Sequence, residues 1–177
     1  NWQTDIVDMW AERSSYSTLI LPSHGKYFGA TSRILLSDYV EQPGEKLGKG
    51  WLLGRGRTKK KGLHLLIDSN HSKSFISKRL KTPVGEKGSL TICADPRGHQ
   101  LLIDHLMAES CMIVTTPIRS AEEWQAKPGK PDNHWLDMLA LNGVAAGVAG
   151  CELDGMATIK KERKRVKFSE LQRQARG

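Results

Sequence analysis

Apolar side chains recur at the spacing of an α-helix in four segments of the chain. In the first segment Ile6, Met9 and Trp10 share one stripe, and in the second Phe75 and Ile76 do so. The last segment is apolar almost throughout, and its second half consists mostly of Ala, Gly and Val. The predicted helices cover residues 3–13, 69–80, 99–110 and 132–150.

Short apolar runs bounded by Gly, Pro and polar residues predict strands between these helices. Two of the runs, 51–54 and 63–68, flank a Gly- and Lys-rich stretch and predict a β-hairpin. Loops are expected where turn residues accumulate, at 23–30, 41–50 and 119–131. The other predicted strands are 17–22, 32–40, 89–93 and 111–118. The order of elements predicts a mixed α/β fold with helices packed on a sheet.

Length and charge narrow the class of protein. The 177 residues suit one domain with a core, and no apolar run reaches the roughly 18 residues of a membrane span. The net charge of +8 is concentrated at 54–62 and 160–168, which favours a polyanion partner over a merely solvated loop and tail. We expect a domain over 1–151 and a basic flexible tail over 152–177. The first residues are neither a Met nor a signal sequence, which indicates a piece of a longer or processed protein.

The three cysteines predict no disulfide framework and no structural zinc. Their number is odd, and no two of Cys93, Cys111 and Cys151 have the spacing of a zinc site. Cys93 and Cys111 stand in apolar runs, so we expect both thiols to be buried in a protein of a reducing compartment.

Several sequence patterns, taken in order, resemble the lambda-type (GpA-like) terminase large subunits of bacteriophages. The resemblance covers roughly residues 1–150. It rests on Trp124 and on five stretches: "NWQTDIVDMWAER" (1–13), "TLILPSHGK" (18–26), "LLIDSNHSKSFISKRL" (65–80), "HQLLIDHLMAES" (99–110) and "NHWLDMLALNGVAAG" (133–147).

This resemblance implies the C-terminal portion of an RNase H-like nuclease domain with a mixed sheet and flanking helices. In the family, that domain cuts concatemeric double-stranded viral DNA during packaging, and acidic residues hold two divalent metals, Mg²⁺ or Mn²⁺. Such hard cations prefer carboxylate oxygens, and two of them can activate water and stabilise the leaving oxygen. The chain carries no phosphate-binding loop motif, so the ATPase motor of the family is not on it. The implied partners are DNA, an upstream ATPase and nuclease segment, the portal protein and the small terminase subunit, all in the host cytoplasm.

The resemblance assigns a catalytic, metal-binding role to Asp137, which matches the last acid of the family. Glu109 matches a recurrent family position and is a second candidate ligand. The family's other two acids lie upstream of Asn1, so the chain is either a trimmed piece or a naturally split one that needs an N-terminal partner. Without the resemblance, Asp137 is equally well explained as an acid favoured by the dipole at a helix N-terminus. Asp68 and Asp104 are interpreted as surface acids.

Candidate DNA contacts come from basic residues. Lys26 and Lys73 match basic positions of the family, although each is equally well explained as a surface lysine. His134 is interpreted as a DNA contact or a neighbour of the metal ligands, or else as a solvated histidine. The hairpin tip supplies the best contacts to phosphates, which carry no sequence information: Arg55, Arg57, Lys59, Lys60 and Lys61. The alternative function is a non-catalytic, basic α/β module that binds nucleic acid.

Overall fold

The structure, a computed structural model, describes residues 2–55, 62–129 and 132–151, with side chains from residue 5 onward. The hairpin tip with Arg57, Lys59, Lys60 and Lys61, and the tail from 152 onward, lie outside the described residues. The described elements are α1 (Trp2–Arg13), β1 (Ser23–Lys26), β2 (Lys46–Gly48), β3 (Trp51–Arg55), β4 (Leu63–Asp68), α2 (Ser69–Lys81), α3 (Gln100–Leu106), β5 (Glu109–Thr115), β6 (Ser120–Ala126) and α4 (His134–Val148).

The larger sheet is mixed and has the strand order β1-β4-β3-β2. β1 pairs parallel to β4, whereas β3 pairs antiparallel to both β4 and β2, which confirms the hairpin expected around residues 51–68. The register sets Lys26 beside Asp68 at one end of the sheet and Arg55 beside Leu63 at the other end. The fold is therefore mixed α/β with helices flanking a mixed sheet, as the sequence predicts.

Helices α2 and α4 pack closely over the larger sheet. The core joins sheet residues to apolar residues of both helices, and α4 meets α2 through Gly143. A Cβ atom at Gly143 would lie 3.1 Å from the ring of Phe75, so a larger side chain would push the helices apart. This close approach explains the glycine at position 143. The buried core residues are Trp51, Leu65, Ile67, Phe75, Ile76, Leu136, Ala140 and Val144.

Strands β5 and β6 form a separate two-stranded antiparallel ribbon that docks on α2. The buried side chain of Asn70 accepts from the backbone N–H of Trp124 at 2.9 Å and donates to the Phe28 carbonyl at 3.1 Å. The Trp124 indole N–H donates to the Ser74 hydroxyl at 2.9 Å. The loop expected over 119–131 is thus wrong at Ser120–Ala126, because polar contacts rather than an apolar alternation hold this strand in place.

Three other predicted strands, at 17–22, 32–40 and 89–93, are also wrong. Residues 17–19 form a turn and 20–22 are irregular, while Leu36–Asp38 form a short 3₁₀ helix. Only part of their apolar side chains is buried: Leu21 and Leu90 lie against the main core, and Leu36 joins a second cluster with Phe28 and Leu47. Leu19, Ile34 and Val40 are exposed. The apolar runs therefore predicted neither strand pairing nor uniform burial.

The short strands β1 and β2 lie in segments that were expected to be loops, and the helix expected over 99–110 is shorter than predicted. It ends at Leu106, because Glu109 already begins β5. The helices expected over 3–13, 69–80 and 132–150 are confirmed.

All three cysteines are exposed, which corrects the burial expected of Cys93 and Cys111. Cys93 lies in an irregular segment that the sequence predicted as a strand, and Cys111 lies on the ribbon. Within the described ranges, no helix has the length and apolar content needed to cross a membrane.

Candidate active site

Lys73, Glu109 and Asp137 meet in one ionic cluster. The ammonium of Lys73 lies 2.7 and 2.8 Å from the two carboxylate oxygens of Glu109 and 2.9 Å from Oδ1 of Asp137. The side chains of Lys73 and Glu109 are only 11% and 7% exposed, whereas Asp137 is 51% exposed. The structure therefore brings both acids named from the sequence into contact with the same lysine.

Three separate elements position the cluster. Lys73 lies in the second turn of α2, which Asp68 caps by accepting from the backbone N–H of His71 at 3.0 Å. Glu109 is the first residue of β5, and Asp137 lies in the first turn of α4. The α2–α4 packing therefore fixes the distance between the lysine and Asp137, while docking of the ribbon brings in Glu109.

Asn133, immediately before α4, completes the surroundings of Glu109. Its side-chain amide donates to Oε1 of Glu109, the oxygen that also accepts from Lys73. Asn133 was not among the predicted site residues, although it begins the stretch 133–147 that carries the family resemblance. Its place just ahead of the final helix is typical of a helix cap rather than of a carboxylate partner.

The cluster opens on a cleft of about 410 Å³ between the end of the larger sheet and α4. Asp137, Lys73 and His134 line it together with the ends of β1 and β4 and the start of α2. The remaining lining residues are Ser23, Gly25, Ile67, Ser69, Ser72, Met138, Ala140 and Leu141. Glu109 lies behind Lys73, so Asp137 is the acid that meets solvent in the cleft.

His134 contributes a ring to the mouth of this cleft. Its Nε2 lies 3.8 Å from Oδ1 of Asp132, and its ring centroid lies 6.0 Å from that of His105. The His105 ring in turn lies 5.5 Å from the Trp135 ring, measured between centroids. His134 is therefore placed to contact a ligand of the cleft.

The other predicted contacts are dispersed. Lys26 follows Gly25 of the cleft wall, but its ammonium lies 5.0 Å from the centroid of the Phe28 ring. Arg55 is exposed at the opposite end of the sheet, next to the undescribed hairpin tip. The candidates thus divide into a group at the cleft (Lys73, His134 and Asp137, with Glu109 behind Lys73) and Arg55 at the opposite end of the sheet.

Asp68 and Asp104 are both partly buried, which corrects their interpretation as surface acids. Burial raises the pKa of the Asp68 carboxyl above its usual range, against the opposing effect of the hydrogen bond from the His71 backbone and the charge of His71. Asp68 lines a second cavity of about 540 Å³ on the other side of α2. Asp104 is half-buried and accepts from the Gln100 side chain at 3.1 Å. Neither acid shares the cleft of Asp137.

Glu109 and Asp137 have the right chemistry to bind a divalent cation, but two carboxylates are too few to hold one. Glu109 and Asp137 offer carboxylate oxygens, which Mg²⁺ and Mn²⁺ prefer. However, the part of the chain that the structure describes has no group of three or more His, Cys, Asp or Glu side chains that could hold a metal ion. Lys73 also lies directly between the two acids. The described residues thus fit part of a metal site rather than a complete one.

Comparison of the chain with protein-family models, with curated proteins and with solved structures finds no match.

Proposed function

We propose that this chain is the C-terminal portion of an RNase H-like, metal-dependent endonuclease domain in a phage terminase large subunit, acting on double-stranded DNA. The observation that carries the proposal is the convergence of Glu109 and Asp137 on Lys73. These three residues come from separate stretches of sequence and meet in one ionic cluster, of which Lys73 and Asp137 line the cleft. Residues chosen at random would rarely do so.

The chemistry proposed for the cleft follows from its charges. Divalent cations bound there would activate water and stabilise the leaving oxygen during phosphodiester hydrolysis. Asp137 is half-exposed and faces the cleft, so it supplies the accessible anionic ligand. Glu109 is buried behind it and is held in place by Lys73 and Asn133. His134 lies at the mouth, where it can contact a phosphate of the substrate.

The remaining anionic ligands would come from the acidic strands that the family carries upstream of the matched residues. β1 is an edge strand of the sheet described here, with exposed residues, and its Ser23 and Gly25 line the cleft. A further strand paired to this edge would run directly beside the cleft, because neighbouring strands lie about 4.8 Å apart. This placement would bring an upstream acid within reach of Asp137.

A polyanion such as nucleic acid is the partner that the charge pattern favours, and the family resemblance makes double-stranded DNA the proposed substrate. The chain has a net charge of +8, and β3 and β4 lead into the basic stretch 54–62 at the end of the sheet away from the cleft. Contacts there would hold phosphates without reading bases. In the proposed role the protein acts in the host cytoplasm during virus assembly, with the portal and the small terminase subunit as partners.

A plasmid-nicking assay with Mn²⁺ tests the proposal. We expect the chain extended by the codons upstream of Asn1 to nick plasmid DNA, and the 177 residues alone to do so poorly. Asp137→Asn and Glu109→Gln should both abolish nicking by the extended protein while DNA binding persists. Asp104→Asn, a matched change outside the cleft, should leave nicking intact. Equal activity of the extended protein and its Asp137→Asn variant would refute the proposal.

The alternative is a non-catalytic module that binds nucleic acid. It is favoured by the lack of a third ligand among the described residues and by the closed ion pairing of Lys73. In that case the cluster only stabilises the fold. The extended protein would then bind DNA tightly but show no metal-dependent nicking at any Mn²⁺ concentration.

A further inference from the structure

The second cavity, of about 540 Å³, shares no lining residue with the cleft of Asp137. One wall is a face of α2, the turn before β6 supplies Arg119, and the loop after α2 supplies Lys87. Its volume lies within the range of roughly 300–1,000 Å³ that is typical of small-molecule sites. The cavity is therefore large enough for a ligand of its own.

Positive charge exceeds negative charge in the lining of this cavity. Four Lys and Arg side chains face two acids. Both acids already have partners: Glu122 lies 3.3 Å from the ammonium of Lys78, and Asp68 caps α2 by accepting from the His71 backbone N–H at 3.0 Å. A ligand entering the cavity thus meets a net positive lining.

Arg119 is held in place and keeps donors to spare. Its Nε donates to the Ala30 carbonyl at 3.4 Å, its Nη2 donates to the Gly29 carbonyl, and its backbone N–H donates to the Thr116 hydroxyl at 3.2 Å. A guanidinium has five N–H donors, and the two carbonyls use only two of them. Among the residues that the structure describes, no carboxylate forms an ion pair with Arg119. Its charge is therefore fixed at the cavity and is not neutralised by a paired acid.

The loop that carries Lys87 is anchored by Arg79. Nη1 of Arg79 donates to the Gly88 carbonyl at 3.0 Å, and its guanidinium carbon lies 4.3 Å from the centroid of the Phe75 ring. Gly88 has a φ of +88°, which a residue with a side chain rarely adopts. Lys87 is exposed and, within the described ranges, has no acidic partner. The loop thus places a second unpaired cation at the edge of the cavity.

We propose that this cavity binds a small organic phosphate, which Arg119 and Lys87 contact through its phosphate group. A phosphate monoester carries close to two negative charges at neutral pH, which matches the two cations that lack an acidic partner. The planar fork of a guanidinium also fits two phosphate oxygens at once. Phe28, Leu35 and Ala121 supply an apolar part of the lining, against which the organic body of the ligand would pack. This site goes beyond the proposed function and needs neither a metal nor an upstream segment.

Isothermal titration of the 177-residue chain at fixed ionic strength tests the proposal. The probes are AMP and phenyl phosphate, with adenosine and inorganic phosphate as their two halves. We expect adenosine and inorganic phosphate each to bind at least about tenfold more weakly than AMP, because one lacks the charge and the other lacks the apolar body. Adenosine that binds as tightly as AMP would overturn the proposal, as would the absence of binding by both AMP and phenyl phosphate.

Variants locate the site. Arg119→Gln should weaken AMP binding at least about tenfold, and Lys87→Gln about threefold, because solvent screens this exposed lysine. Ala121→Leu adds bulk to the lining without changing charge and should also weaken binding. These last two variants keep the test valid if Arg119→Gln fails to fold. Lys46→Gln is the matched control, because Lys46 is exposed on β2 and does not line the cavity.

The outcomes separate this site from general attraction to a basic chain and from the proposed nuclease. Unchanged AMP affinity in both Lys87→Gln and Ala121→Leu, or an equal loss in Lys46→Gln, would overturn the proposal. Displacement of AMP by a short DNA duplex would also overturn it, because the cavity would then belong to the DNA interface. Asp137→Asn should leave AMP affinity unchanged, so a failure of either proposal leaves the other standing.

Discussion

Replacing Lys73 by Met should destabilise the protein far more than the same change at Lys78. Met keeps much of the length of the lysine stem but removes the charge. Glu109, 7% exposed, would lose the partner of both its oxygens and keep only the Asn133 amide. Removing one member of a buried ion pair typically costs about 3–5 kcal/mol. We expect the lower end, about 3 kcal/mol, because Asn133 still donates to Glu109.

The matched change at Lys78 removes a pair whose side chains are 70% and 40% exposed. Solvent screens such pairs, so the expected loss is at most about 1 kcal/mol. Urea denaturation followed by circular dichroism measures both free energies of unfolding. In a thermal melt, the Lys73 variant should unfold roughly 6–12 °C below the wild type, at about 2–4 °C per kcal/mol.

A double variant supplies the internal check on this reasoning. Adding Glu109→Leu to Lys73→Met removes the stranded carboxylate, so stability should recover most of the loss. Two results would contradict a buried Lys73–Glu109 ion pair. One is an equally small loss of unfolding free energy in Lys73→Met and Lys78→Met, and the other is a double variant less stable than Lys73→Met alone.

Three further predictions concern single positions. Asp137→Asn should change the free energy of unfolding by at most about 1 kcal/mol in urea, because this acid is 51% exposed. Asp68→Asn should stabilise the protein at neutral pH, since burial raises the Asp68 pKa above its ordinary value of 3.8 and the charged form is therefore penalised in the fold. The Asn side chain can still accept the capping hydrogen bond from the His71 backbone. The gain in stability over the wild type should vanish as the pH falls through the raised pKa to below 3.8, because Asp68 is then protonated in both the folded and the unfolded state. A gain over the wild type that is larger at low pH than at neutral pH would contradict this. The logarithm of the DNA association constant, measured by fluorescence anisotropy, should fall with the logarithm of the salt concentration at a slope of about −4 to −5. Arg55→Glu should weaken it equally for all duplex sequences, and a salt-independent affinity would exclude the electrostatic account.

Elements with a strong local pattern could be predicted from the sequence. The stripes of α1 and α2, the long apolar run of α4 and the paired runs of β3 and β4 predict both the type and the position of those elements. The ribbon strand β6 could not be predicted in this way, because its burial depends on Glu123. That carboxylate accepts from the Tyr27 hydroxyl and the Ala30 backbone N–H, both far away in the sequence. These hydrogen bonds lower the pKa of Glu123. No local sequence pattern predicts them.

The candidate site was predictable residue by residue but not as an arrangement. Asp137, Glu109 and Lys73 each stood out through a resemblance, yet their contacts depend on how α4 and the ribbon dock against α2. That docking relies on Gly143 and Asn70, whose roles appear only when the partners are in place. Tertiary packing thus determines what the individual residues can do together.

The cluster is built from three separate segments, so a growing chain cannot complete it until the last segment has been synthesised. Lys73 and Glu109 are 36 positions apart, and Asp137 arrives later still, in the final helix of the described residues. Chains emerge from the N-terminus at roughly 5–20 residues per second, so β3, β4 and α2 leave the ribosome seconds before α4 does. Until then Lys73 has at most one of its two acids. A ribosome-bound intermediate would therefore contain the basic stretch 54–62 before its cleft is assembled, so under the proposed function nucleic-acid binding would precede cleavage.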